Sequence, residues 1–165
     1  MAKVTFRGLQ EYEQQLSKLE TGVQEIAEKA VYEGARIVAD EVKKNLSSLK
    51  SVSSQAAVAA YSKKTPTYIT EKAKSGLIQS FGISSIRNDN GFYNVKIGFD
   101  GYNDVKTKQY PKGQPNNLIA RACESGSSAM IKQPFMRTAV NASKGEAERK
   151  MAEILANEIK KKMEE

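Results

Sequence analysis

From Val23 to Leu46 the apolar and small residues Val23, Ile26, Ala27, Ala30, Gly34, Ile37, Val38, Val42 and Leu46 recur at three- and four-residue steps. Glu25, Glu28, Lys29, Glu33, Arg36 and Asp40 fall mostly on the other faces. This is one amphipathic helix of about six turns, and a helix with a single apolar stripe must lay it on a second layer. The stripe predicts an ordinary core helix, with an oligomer seam as the alternative, and Ala27, Ala30 and Gly34 would let another helix approach closely. A matching stripe, Ala147, Met151, Ile154, Leu155, Ile159 and Met163, closes the chain.

Between these patterns the period changes. Val4-Thr5-Phe6 reads as a short strand, and Leu9, Tyr12, Leu16 and Leu19 as a first helix. Thr21-Gly22-Val23-Gln24 has the form of a capping box, so the long helix is expected to start anew there. Residues 47–66 are rich in serine, alanine and lysine without strong periodicity, and predict a mobile surface loop with at most one helical turn. Ile69, Ala73 and Leu77 restore helical spacing over 67–80, after Pro66.

Phe81 and Ile83 share a strand face, and Ile86 breaks the alternation as a bulge would, ahead of Asn88-Asp89-Asn90-Gly91. Tyr93, Val95, Ile97 and Phe99 then alternate with polar or small residues, which predicts a hairpin near 81–99 with one wet face. Residues 101–117 read as a second mobile loop, and Leu118, Ile119, Ala122 and Cys123 as a short amphipathic helix. Pro134 suits the first turn of the last helix, and Ser143-Lys144-Gly145-Glu146 predicts a restart or kink within it. The sum is an α+β fold, one domain over 1–165, in which long N- and C-terminal helices cover a small antiparallel sheet.

Composition narrows the function. The 165 residues are 39% hydrophobic and 27% charged, as expected of one soluble domain with a single core. Neither a secretory leader nor a run of about 20 apolar residues is present to suggest export or a membrane span. Cys123 is the only cysteine, and is expected to be a small buried hydrophobe. Histidine is absent, which removes Ser-His-Asp and Cys-His nucleophile activation and the common mixed zinc sites. With no Gly-rich phosphate loop either, the reading is of a protein that is not an enzyme and carries no catalytic residues, cofactor or metal.

The net charge of +7 is concentrated in two stretches, 41–74 and 101–143. In the first, Lys43, Lys44, Lys50, Lys63, Lys64, Lys72 and Lys74 oppose only Glu41 and Glu71, and Lys106, Lys108 and Lys112 form a second cluster. Five such lysines on phosphates would give a log-log salt slope near about −4.5, a non-specific mode, since no helix-turn-helix or RNA-recognition signature accompanies them. Solvated solubility residues are the plainer reading. A basic, non-sequence-specific nucleic-acid-binding accessory protein is the alternative function.

The order Phe6-Arg7-Gly8-Leu9, Ser75-Gly76-Leu77, Glu124-Ser125-Gly126 and Gln133-Pro134-Phe135, the last running into the terminal helix, resembles the gene-product-ten-like family of tail-completion or minor tail proteins of long-tailed, lambda-like bacteriophages and prophages. Ser127 stands where that family often has threonine, and Thr138 where it often has proline. The resemblance implies a virion protein, made in the bacterial cytoplasm, that assembles with itself as a hexameric ring at the head-proximal end of the tail. Its implied neighbours are tail-tube and head-tail connector proteins. Glu124, Gly126, Pro134 and Phe135 then become candidate subunit or loop contacts, and the seven lysines of 41–74 candidates to face DNA in the channel or an acidic partner. No membrane is implied.

Overall fold

The computed structural model describes residues 9–164, and side chains from residue 22 onward. The strand expected at Val4–Phe6 lies outside the described residues. Helix α1 runs unbroken from Leu9–Ser47, about 58 Å at 1.5 Å per residue. Helix α5, Met136–Glu164, folds back along it. Their direction is antiparallel: a Cβ on Gly22 would meet Lys162 at 3.0 Å, one on Gly34 would meet Met151 at 2.6 Å, and Lys29 pairs with Glu158 between them.

Two expected breaks are absent, and for one kind of reason. The chain passes Thr21-Gly22 as helix, because Gly22 sits against Lys162 and the tertiary contact outweighs the roughly 1 kcal/mol cost of a mid-helix glycine. Likewise α5 does not restart at Ser143: its hydroxyl is buried and donates to the Ala139 carbonyl at 2.8 Å, back along the same helix. The buried stripe of α1 is Ile26, Ala30, Gly34, Ala35, Ala39, Val42 and Leu46. It takes in Ala35 and Ala39 where the sequence pattern placed Val23, which is 49% exposed.

The core sits at one end of this helix pair. Val42, Leu46 and Leu49 meet Ile69, Ala73 and Leu77, then Ile119 and Cys123, and finally Phe135 and Ala139. At about 1.5–3 kcal/mol for each large apolar side chain removed from water, this cluster holds the small elements onto the helices. Those elements are β1 (Ser51–Val52), α2 (Ser54–Ser62), β2 (Ile69–Thr70), α3 (Glu71–Ser80), β3 (Phe81–Ile83), β4 (Arg87–Asp89), β5 (Phe92–Asn94), β6 (Ile97–Phe99) and α4 (Asn116–Ser125).

The α+β class is as expected, but the sheet is divided. Among the described residues there are three two-stranded pieces: parallel β1–β2, antiparallel β3–β6 and antiparallel β4–β5. The last two belong to one long hairpin. Ile83 pairs with Ile97 and Arg87 with Asn94, so three residues on the first strand face two on the second. That extra residue is the bulge predicted at Ile86. Ser84 bridges it, donating its amide to the Lys96 carbonyl (2.8 Å) and accepting the Lys96 amide on its hydroxyl (2.9 Å). Asn90 and Gly91, with φ of 55° and 90°, make the hairpin turn.

Residues 47–66 are more regular than a loop with one turn. The Ser53 hydroxyl accepts the Ala56 amide and starts α2, whose alanines favour helix without needing a buried face. In 67–80 the helix begins later than expected: Ile69 is buried as part of β2, and Thr70 caps α3 by accepting the Ala73 amide at 3.2 Å.

Candidate functional site

The block from Glu124 to Phe135 closes the fold on itself. Glu124 lies in the last turn of α4, and its carboxylate accepts three amides at the start of α5: Phe135 (2.8 Å), Met136 (2.9 Å) and Arg137 (3.1 Å). These are donors that a helix start leaves without intrahelical partners, and negative charge there is favoured by the helix dipole. Pro134, just before them, has no amide to satisfy and is exposed; α5 begins two residues after it, with the Phe135 carbonyl accepting the Ala139 amide. Gly126 has φ 77°, and a Cβ there would lie 3.3 Å from the backbone of Lys132, so the loop between α4 and α5 closes at this glycine.

Gln133 is the residue whose role sequence reasoning missed. Its side-chain amide accepts the Lys50 amide (2.9 Å) and donates to the Lys50 carbonyl (3.0 Å), imitating a strand partner for the chain entering β1. Phe135 is 2% exposed and stands edge-on to Phe99 at 6.0 Å, which in turn contacts Phe81 at 5.3 Å. One short segment thus fixes α4, α5, β1 and the hairpin. Ser127 supplies a hydroxyl that accepts the Ala129 and Met130 amides, and Thr138 donates to the Pro134 carbonyl at 3.0 Å.

Removing the Glu124 carboxylate should be costly. Hydrogen bonds to a charged group contribute about 1.5–3 kcal/mol each, reduced here by partial exposure and shared geometry. Glu124→Ala is expected to lower stability by about 2–3 kcal/mol and Glu124→Gln by about half as much, read from urea denaturation midpoints. A loss under about 0.5 kcal/mol for both would mean that water replaces the carboxylate without cost.

Cys123, beside Glu124 in sequence, is fully buried with its Sγ 3.4 Å from Met130 Sδ. Burial, and secondarily the Glu124 charge, pushes its thiol up to about 11 from 9.0. The folded protein therefore holds its proton where the unfolded chain releases it. Its contribution to stability is intact below about pH 9 and is lost as pH rises toward and through 11. Iodoacetamide at pH 8 is expected to label Cys123 only on unfolding; rapid native labelling would contradict its burial.

A second polar knot holds the segment 101–117. Asn103, 3% exposed, donates to the Ala73 carbonyl (3.1 Å) and to Asn116 Oδ1 (3.2 Å), and accepts the Val105 amide (3.2 Å). Asn116, equally buried, donates to the Asp100 carbonyl at 2.8 Å. Gly76 of α3 makes room for this side chain, since a Cβ there would lie 2.2 Å from Asn103 Nδ2.

The lysines of 41–74 differ in setting. Lys44 pairs with Glu41 at 3.2 Å, Lys74 donates to the Leu49 carbonyl at 2.8 Å, and Lys50 lies 5.8 Å from the Tyr68 ring centre. Lys43, Lys63, Lys64 and Lys72 are exposed; Lys63 caps α2, and Lys64 lines a groove of about 660 Å³. That groove lies between α2, β2 and α4 and is walled by Ala57, Tyr61, Tyr68, Val105, Ile119 and Met130 among others. Among the described residues no cluster of three or more His, Cys, Asp or Glu has metal-binding geometry, and no helix is long and apolar enough to cross a membrane.

These features define an α+β fold whose motif residues hold its own elements together, beneath a surface with several exposed aromatic side chains. Residues 10–100, more than half of the chain, match the family described as "Bacteriophage HK97-gp10, putative tail-component", and the chain belongs to that HK97-gp10-like family. It is a phage tail component. The matched stretch contains all of α1 but its first residue, Ser75-Gly76-Leu77 and the hairpin, whereas Glu124–Phe135 lies beyond it. No curated protein and no solved structure gives a match.

Proposed function

We propose that the protein is a structural subunit of the virion that completes the head-proximal end of the tail, assembling with itself as a hexameric ring that meets the tail tube on one side and head-tail connector proteins on the other. Family membership carries this reading. The surface supports it: Tyr61, Phe92 and Tyr102 are 79%, 78% and 73% exposed, large aromatic side chains of a kind enriched where subunits meet. No chemistry is required of such a subunit, so no catalytic residue is assigned. Lys43, Lys63, Lys64 and Lys72 would face DNA in the channel or an acidic neighbour, where complementary charge guides docking more than it adds affinity.

The test is deletion of the gene from the phage or prophage that carries it, followed by electron microscopy of the particles after lytic growth. Full heads beside unattached or overlong tails are expected. Normal, joined and infectious particles would remove the reading.

A further inference from the structure

The tip of the hairpin and the groove are opposite in shape and lie on different parts of the same chain. At the hairpin tip Asp89 and Phe92 are cross-strand partners, so both side chains leave the ribbon on one face. Phe92 is 78% exposed, and the Asp89 carboxylate is the charge nearest the turn, with the exposed Arg87 two residues further down the same face. The tip is held in shape: Asn88 Oδ1 accepts the Gly91 amide at 2.7 Å, and Asn94 donates to the Asp89 carboxylate at 2.7 Å. A knob ordered in advance loses little freedom on docking.

The groove beside α2 is the counterpart. Its walls are mostly apolar, its volume of about 660 Å³ exceeds a phenyl ring several-fold, and its one charged lining residue is Lys64. None of its lining residues belongs to the hairpin. An exposed aromatic ring beside a carboxylate is thus matched in kind by a mostly apolar groove with one ammonium at its lining.

We infer that the hairpin tip of one copy, Phe92 with Asp89, docks into the Lys64-lined groove of the next copy. The occupant of the groove is thus a second copy of this chain, and the inference rests on the ring reading above. Such a contact joins two different faces, head to tail, and closes into a ring when the rotation between copies permits. It also accounts for α2, a helix with no buried residues whose Ala57 and Tyr61 form one groove wall.

The test uses particles assembled with Phe92→Cys together with Ala129→Cys, the latter on the groove wall. Oxidation should give a ladder of this chain extending past the dimer, absent from either single variant, because each copy offers one half of the pair to each neighbour. A ladder that stops at dimer, a bond to a different virion protein, or no bond while the chain is present in particles would overturn this contact and leave the ring reading standing. Absence of the original, unsubstituted chain from particles would overturn both. Independently, Lys64→Glu should reduce incorporation into particles at least about tenfold, and adding Asp89→Lys should restore it; equal incorporation of Lys64→Glu and the original chain, or no rescue, would contradict the pairing.

Discussion

Gly76→Ala is expected to destabilise the protein by about 3–5 kcal/mol, the reverse of what the substitution does in most helices. Alanine is favoured over glycine in a helix interior by about 1 kcal/mol. Here, however, the new Cβ would sit 2.2 Å from Nδ2 and 2.9 Å from Cγ of Asn103, far inside contact distance. Asn103 cannot give way without surrendering its bonds to Ala73, Asn116 and Val105, the first two buried and the third partly so. Each buried polar group left without a partner costs about 1–3 kcal/mol. The decisive comparison is a double-mutant cycle in urea: Asn103→Ala alone should be strongly destabilising, and Gly76→Ala added to it should be neutral or stabilising. An equal loss from Gly76→Ala in both backgrounds would show that the clash with Asn103 is not the cause.

Phe135→Ala is expected to cost about 3–5 kcal/mol, the range for truncating a large buried aromatic. The ring is 2% exposed, and it links the start of α5 to β6 through Phe99. Its loss opens a cavity in the core cluster and leaves the first turn of α5 held by hydrogen bonds with Glu124 and Asn45 without the ring's packing. Hydrogen exchange should show the largest loss of protection at that first turn and at β3–β6. A cycle with Phe99→Ala should give a coupling of about 0.5–1.5 kcal/mol, as for edge-to-face pairs. A total loss under about 1 kcal/mol would mean that the site collapses around the smaller residue.

Much of this architecture is legible in the sequence because it is local. Most of the α1 and α5 stripes, the bulge at Ile86 and the turn at Asn90-Gly91 follow from period and turn chemistry that neighbouring residues carry, although Leu155, expected in the α5 stripe, is 38% exposed. What was misread depends on distant partners. Thr21-Gly22 and Ser143 look like helix starts until Lys162 and the Ala139 carbonyl are placed beside them. Helix α2 buries no residue, so it leaves no apolar period to read.

The polar stretch 101–117 looks like any long loop, because nothing near Asn103 announces that it will reach α3 and Asn116. The Glu124 to Phe135 block is conspicuous as a motif, but its geometry is not. That Glu124 would serve three amides more than ten residues away, and Gln133 the backbone of Lys50, is a property of the folded chain. Of the candidate contacts in that block, Glu124 and Phe135 have internal roles, and Pro134 is exposed.

The most direct test of the central claim is to locate the chain on intact virions, by cryo-electron microscopy of particles in which a small exposed tag at the C-terminus is labelled with gold. The account predicts label confined to the junction of tail and head, with a closed ring of density there that accommodates the α1–α5 helix pair. Label spread along the tail tube, at its far tip, or absent from joined particles would contradict it.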